Sequence, residues 1–402
     1  MLRASHPATP RVLPVIVLAQ FSCTSLWFAG NAIAPELAAL VQQPPAFVAH
    51  LTSAVQFGFI TGTLVFALLA IADRFSPSRV FYLSAVAAAM CNLGLNLRGA
   101  DAGSLLALRF LTGFFLAGIY PVGMKIAADY APTGLGKWLG FLVGALVLGT
   151  AFPHLLKSLA AQLPWQAVAW TTSTLAVLGG LAVQQWVPDG PYRKTGQRLQ
   201  PNAFLSGFRL PRFRAAAFGY FGHMWELYTF WAFLPLILAA YNQAHPGAAL
   251  PVSAYSFGLI GAGGLACVGS GLLSRVVPAR ALATTALALS GLCCLLSPLV
   301  LRSSSPALLL GFLLFWGLVV VADSPMFSSL VAQSAPPASS GTSLTIVNCL
   351  GFAITIVSLQ FTHWLAGRVP IHNLFLVLAI GPALGLLAQL LGRQQAVTPP
   401  LK

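Results

Sequence analysis

The chain has 402 residues, of which 57% are apolar and only 7% charged, and a soluble protein of that length cannot cover its surface with so few charges. Its formal net charge of +14 invites a nucleic-acid reading, but the basic residues are scattered through short breaks between apolar runs. Each run is about 20 residues long, enough to cross roughly 30 Å of hydrocarbon as a helix, so the composition predicts an all-α integral membrane protein of about twelve spans.

Span 1 is expected over about 12–34 and carries Gln20 and Asn31. Arg11 followed by an apolar stretch has the outline of a signal peptide, yet the run continues past Trp27 to Ala34, so it reads as an uncleaved first span. Span 2, about 47–72, ends on the charged turn Ala72-Asp73-Arg74-Phe75-Ser76-Pro77-Ser78-Arg79, and span 3 covers about 80–97. Span 4, about 104–128, contains Arg109-Phe110-Leu111-Thr112-Gly113 and Gly118-Ile119-Tyr120-Pro121, and Asp129-Tyr130-Ala131-Pro132 ends it. Span 5, about 137–159, places Gly140 and Gly144 four residues apart, a spacing that lets membrane helices approach closely. Span 6, about 165–187, stops at Pro188-Asp189-Gly190-Pro191. The polar stretch 192–212 is a linker, and spans 7 to 12 follow at about 213–240, 252–273, 280–301, 307–331, 341–365 and 371–391.

The chain is a duplication. Arg74, Pro77 and Arg79 recur 201 residues later as Arg275, Pro278 and Arg280, while Gly113, Pro121 and Ala131-Pro132 recur 204 residues later as Gly317, Pro325 and Ala335-Pro336. The expected halves are 1–191 and 213–402, joined by the linker at 192–212. Six spans is an even number, so both halves share one orientation and both arginine turns lie on one face. With the amino terminus inside, 15 of the 21 Lys and Arg fall in cytoplasmic segments. That asymmetry predicts a multi-pass inner-membrane protein of bacterial type with both termini cytoplasmic, and makes the basic charge topogenic. The six cysteines sit in apolar runs without metal-ligand spacing and read as core filler.

At this point the chain resembles the major facilitator superfamily over essentially its whole length. The turn after span 2 is similar to that family's loop signature, Gly-x-x-x-Asp-Arg-x-Gly-x-Arg-Arg: Asp73, Arg74 and Arg79 match, whereas Leu69 and Ser76 stand where glycine is preferred and Ser78 where a basic residue is frequent. Arg109-x-x-x-Gly113 looks like a second signature found in many proton-coupled members. Antiporter members usually carry Gly-Pro in span 5; here the proline is in Phe152-Pro153, after Gly149-Thr150-Ala151, so efflux is not supported. The run from Gly219 to Tyr228 looks like a marker of bacterial facilitators without indicating a cargo. The resemblance implies a cytoplasmic gate formed by Asp73, Arg74, Arg79, Asp129, Arg275 and Arg280; helix polarity, which favours an anion at a helix start, predicts that Asp73 faces the start of span 11 near Ser340 and Gly341.

Charges inside a membrane are costly and usually face a cavity or a partner. Glu226 lies about 13 residues into span 7, roughly 20 Å deep at 1.5 Å per residue, and His223 lies one turn earlier on the same face. The two read as a proton-carrying pair, against the alternative of a hydrogen-bonded structural pair; a metal site would need further ligands. Asp323 in span 10 aligns with Ile119 of the first half, so the repeat does not require it, and it joins the proton-coupling candidates. Arg109 is too deep to snorkel and is either an anion-binding or pKa-modulating group or half of a helix-joining ion pair. Lys125 reads as a snorkelling anchor. Asn31, Tyr120, Trp225, Tyr228 and Asn348 are cavity candidates, as is Gln360, although each alone is also suited to joining helices.

These residues predict a secondary transporter that moves a small organic solute by alternating access between two six-helix bundles, coupled to protons, acting as a monomer in lipid without a cofactor or nucleic-acid partner. The alternatives are a proton-driven multidrug exporter, favoured by the aromatic residues of span 7, and a membrane-embedded enzyme using His223 and Glu226 as acid and base. The duplicated arginine turns argue for rocking halves over the enzyme, and no filter repeat or ring of charge suggests a channel.

Overall fold

The computed structural model describes residues 9–97, 99–130, 135–159, 164–193, 207–336 and 340–397. Arg98, Ala131-Pro132 and most of the expected linker, 194–206, lie outside the described residues, and so does the side chain of Ser340. All regular structure among the described residues is helical. Among the described residues eleven helices are long and apolar enough to cross a membrane: Pro45–Leu68, Pro77–Asn96, Ala102–Tyr130, Lys137–Leu159, Gln166–Trp186, Pro211–Ala244, Val252–Leu273, Ala279–Val300, Pro306–Ser334, Gly341–Ala366 and Ile371–Gly392. They are spans 2 to 12. Large leucines such as Leu18, Leu265 and Leu299 are exposed on the outside of the bundle, as suits a chain whose solvent is hydrocarbon.

Span 1 departs from the unbroken helix expected over 12–34. It runs as Thr9–Thr24, then Ala29–Ala32 and Ala34–Leu40. Before the break the N–H groups of Leu26 and Trp27 reach back only three residues, to Cys23 and Thr24. Hydroxyls engage other carbonyls of this turn, Thr24 Oγ1 donating to Gln20 O at 2.7 Å and Ser25 Oγ to Ser22 O at 2.6 Å. Such local side-chain bonds offer the backbone an alternative to the helix.

The duplication is visible in three dimensions. Spans 4 and 10 each divide, into Ala102–Leu116 and Tyr120–Tyr130 and into Pro306–Ala322 and Ser324–Ser334. The second piece of each begins one residue before the repeated prolines, Pro121 and Pro325, whose rings cannot continue the ladder. Close approaches repeat as well. A Cβ on Gly113 would sit 1.8 Å from the Val55 carbonyl oxygen, and one on Gly317 2.4 Å from that of Leu259, each member of the second pair lying 204 positions after its counterpart. Only glycine lets span 4 lie on span 2, and span 10 on span 8, at that distance.

The halves meet along two seams, span 5 against span 8 and span 2 against span 11. In the first, Cβ atoms on Gly140 and Gly144 would lie 3.3 Å from Cys267 O and 2.9 Å from Gly264 O, which is the close helix contact their spacing predicts. The second seam is parted toward the face carrying the arginine turns and closed toward the opposite face. Aromatic side chains of both halves fill the closed part: Trp27 against Phe59, Tyr228 and Phe352 at ring-centroid distances of 4.8, 5.9 and 5.5 Å.

Candidate functional site

A cavity of about 490 Å³ opens between the halves on the arginine-turn face, with walls that include Phe66, Asp73, Pro121, Lys125, Thr345 and Asn348. Deeper, Tyr120, Tyr228, Trp231, Ser324 and Phe352 line a small pocket under the aromatic seal. Spans 4 and 10 present their breaks to this region because Tyr120 and Ser324 are the repeat-related residues that begin the second helical pieces.

At the mouth, Lys125 Nζ lies 2.9 Å from Asp73 Oδ1 and 3.9 Å from Asp129 Oδ1. Residues 187–193 bind this region from behind. Arg193 Nη2 donates to the carbonyls of Asp73 at 3.0 Å and Phe75 at 2.7 Å, and its Nη1 pairs with Asp189. Ser76 Oγ donates to Asp189 Oδ1 at 2.7 Å, Ser78 Oγ to Val187 O at 2.6 Å and Tyr130 Oη to Pro188 O at 2.7 Å. The expected gate group is therefore only partly assembled. Asp73 and Asp129 share Lys125, whereas Arg74, Arg79 and Arg275 are exposed. Arg280 turns to span 12, its Nε donating to Gln389 Oε1 at 3.1 Å. Asp73 and Gly341 both line the cavity. Lys125, read as an anchor, is the central ion partner; its position one turn before Asp129 was the available signal.

Arg109 is fully buried, and neither of its expected roles matches what it contacts. Its Nη1 donates to Leu26 O at 3.0 Å and its Nη2 to Trp27 O, the carbonyls released by the break in span 1. Gly30 makes the room, since a Cβ there would lie 3.1 Å from Arg109 Nε. Arg109 thus fixes the bend that delivers Trp27 to the aromatic seal. Asn31 also serves packing, donating to Thr52 Oγ1 at 2.7 Å, and Trp225 Nε1 donates to Val377 O at 3.1 Å on span 12. Of the expected cavity residues, Tyr120, Tyr228 and Asn348 line the cavity or the inner pocket; Tyr220, not singled out in sequence, lines the pocket too and donates to Asn348 Oδ1.

His223 and Glu226 do not form a pair with each other. Three residues advance a helix by about 300°, so two side chains at that spacing diverge by about 60° and meet different neighbours. Glu226 accepts from Ser290 Oγ at 2.8 Å, Cys294 Sγ at 3.3 Å and Trp316 Nε1 at 2.5 Å, which ties span 7 to spans 9 and 10. His223 Nδ1 lies 2.8 Å from Asp323 Oδ1, both side chains being fully buried. Asp323 is the residue at the break of span 10, directly before Ser324 of the pocket. Neither ring nitrogen of His223 and neither carboxylate oxygen of Asp323 makes a hydrogen bond among the described residues, so the two side chains meet as an ion-pair contact. No group of three or more metal-ligating side chains occurs among the described residues.

Two related six-helix bundles around a cavity open to one face, with ionisable groups buried beside it, define a membrane transporter. Residues 15–359 match the family model of the Major Facilitator Superfamily, and the chain belongs to that family. Its fold matches the crystal structure of the human organic anion transporter MFSD10 (TETRAN) with a TM-score of 0.68 at 17% identity, covering 96% of this chain and 100% of that one. No curated protein sequence matches it. Members of the family bind small-molecule substrates and act as transporters, not enzymes.

Proposed function

We propose that the chain is a secondary active transporter that moves a small organic solute across an inner membrane by alternating access, coupled to protons. In this reading it acts as a monomer in lipid, the arginine-turn face and both termini are cytoplasmic, and the halves 1–191 and 213–402 rock about the linker at 192–212. The observation that carries the coupling is the buried His223–Asp323 pair at 2.8 Å, set in the helix break that forms the pocket. A carboxylate and an imidazole sharing one proton are neutral together; a second proton makes the pair cationic and weakens the attraction holding span 7 to span 10. A proton then biases one arrangement of the halves over the other, as coupling requires. Glu226 is assigned a structural role, because three donors from spans 9 and 10 engage its carboxylate away from the pocket.

The cavity supports an amphipathic or aromatic solute. Its deep end combines tyrosine, tryptophan and phenylalanine faces with a serine hydroxyl, and its mouth carries two carboxylates and one ammonium. The test uses proteoliposomes and the metabolite that most raises the melting temperature of the purified protein, since a ligand of the folded state stabilises it. Asp323→Asn should abolish accumulation driven by an imposed pH gradient while solute exchange continues, and Glu226→Gln should still couple. Wild-type accumulation by Asp323→Asn would refute the assignment.

A further inference from the structure

Spans 2 and 11 belong to different halves, and their seam must part before the outer face can open. Toward the cytoplasmic mouth they already stand apart, with Thr63 and Phe66 on one wall of the cavity and Thr345 and Asn348 on the other. Toward the outer face, beyond the Phe59–Phe352 ring contact at 4.7 Å, three further cross-connections close the seam. Thr355 Oγ1 donates to Gln56 Oε1, and Gln360 Nε2 donates to Ser53 Oγ at 2.8 Å and to Ala49 O at 3.3 Å. The outermost is the imidazole of His50 against that of His363, ring centroids 4.8 Å apart at 67°. Amide and hydroxyl contacts do not change with pH between about 5 and 8, whereas imidazoles do.

Both rings are half-buried, so water at the outer face reaches them, and His363 Nδ1 has no hydrogen-bond partner among the described residues. Phe47 lies edge-on to His50 with centroids 6.0 Å apart, which fixes that ring from its own half. The charged and titratable groups at the outer ends of the surrounding helices are otherwise engaged. Glu36, in the last helical piece of span 1, pairs with Lys157 at 2.9 Å, and Asp101 caps span 4 through Ser104. Arg109 holds span 1, and His245 contacts Tyr241 O. Arg302 meets His372, and Arg368 lies over Trp364. Among the described residues no carboxylate lies within ion-pair distance of His50 or His363.

We propose that His50 and His363 form an acid-operated latch on the outer seam. While at least one imidazole is neutral the rings pack edge to face and the seam stays shut; when both are protonated, like charges face each other across it and the outer face opens. External acidity thereby sets how often the site is offered to the outside. The latch rests on the alternating-access reading but not on which residue carries the coupled proton.

Its test is a distance measurement across the outer face. Spin labels on Gln43→Cys and Gly367→Cys, both exposed and on opposite halves, are placed in a Cys91→Ser background, because the other five native cysteines are buried. Acidification from about pH 7.5 to about pH 5.5, through the imidazole range, should raise the long-distance population about tenfold. His50→Gln and His363→Gln, each sufficient to remove the repulsion, should leave it within about twofold of its neutral-pH value. The latch is wrong if the wild-type distances ignore pH, or if both glutamine variants respond to acid as the wild type does. A solute that moves the labels where acid does not would remove the latch alone, and labels that move under neither condition would remove the alternating-access reading with it.

Discussion

Arg109→Leu removes a guanidinium that serves two carbonyls inside the membrane, Leu26 O and Trp27 O. A buried carbonyl left without a donor costs about 1–3 kcal/mol, so the pair should cost about 2–6 kcal/mol, a large part of the roughly 5–15 kcal/mol that holds a domain together. At about 2 °C per kcal/mol for a chain of this size, the melting temperature of the purified protein should fall by about 4–12 °C. Arg109→Lys should fall between, since a point-like ammonium does not reproduce the planar fork. Gly30→Val should behave like Arg109→Leu, because its side chain would occupy the space of Arg109 Nε and Cδ, 3.1 and 3.2 Å from a Cβ at that position. If span 1 instead rewinds into a continuous helix, Trp27 leaves Tyr228 and Phe352, and its fluorescence reports the change. A melting temperature within about 1 °C of wild type together with unchanged Trp27 emission would refute the role assigned to Arg109.

Gly144→Leu places a side chain against the Gly264 carbonyl in the seam of spans 5 and 8 and should cost about 1–3 kcal/mol by overpacking, read as a lower melting temperature. Tyr228→Ala removes the ring that joins Trp27, Trp231 and Phe352; at about 0.5–1.5 kcal/mol for each aromatic pair, a cysteine at Ser324 should become accessible to impermeant reagents from the outer face. Lys125→Gln leaves Asp73 and Asp129 without their shared cation and should cost no more than about 1 kcal/mol, a loss that shrinks in high salt. Reporter fusions at Gln200 and Gln243 should give opposite signals, and equal signals would contradict the topology.

The sequence carried the architecture because its evidence was repeated: Arg74 and Arg275, Gly113 and Gly317, and Pro121 and Pro325 mark the same places in two bundles. It carried less of the site. The break in span 1 has no proline at 25–28 to announce it; hydroxyls at Ser22, Thr24 and Ser25 and the space at Gly30 were the only local signs. The His223–Asp323 contact joins residues a hundred positions apart, and helical spacing along span 7 says which side chains share a face but not which neighbour each one meets. Glu226 drew attention as a deep carboxylate, and only packing reveals that Ser290, Cys294 and Trp316 already engage it. His50 and His363 belong to no motif; a seam between two spans brings them together.

Alternating access makes one demand that can be measured directly: the two faces must move in opposite senses. Spin labels at Phe75→Cys and Val276→Cys, exposed on the repeated turns of the two halves, report the cytoplasmic mouth, and labels at Gln43→Cys and Gly367→Cys report the outer seam. Across pH and added solute, the account predicts that every condition lengthening one distance shortens the other. Distances that lengthen together, or a mouth that stays open under all conditions, would contradict it.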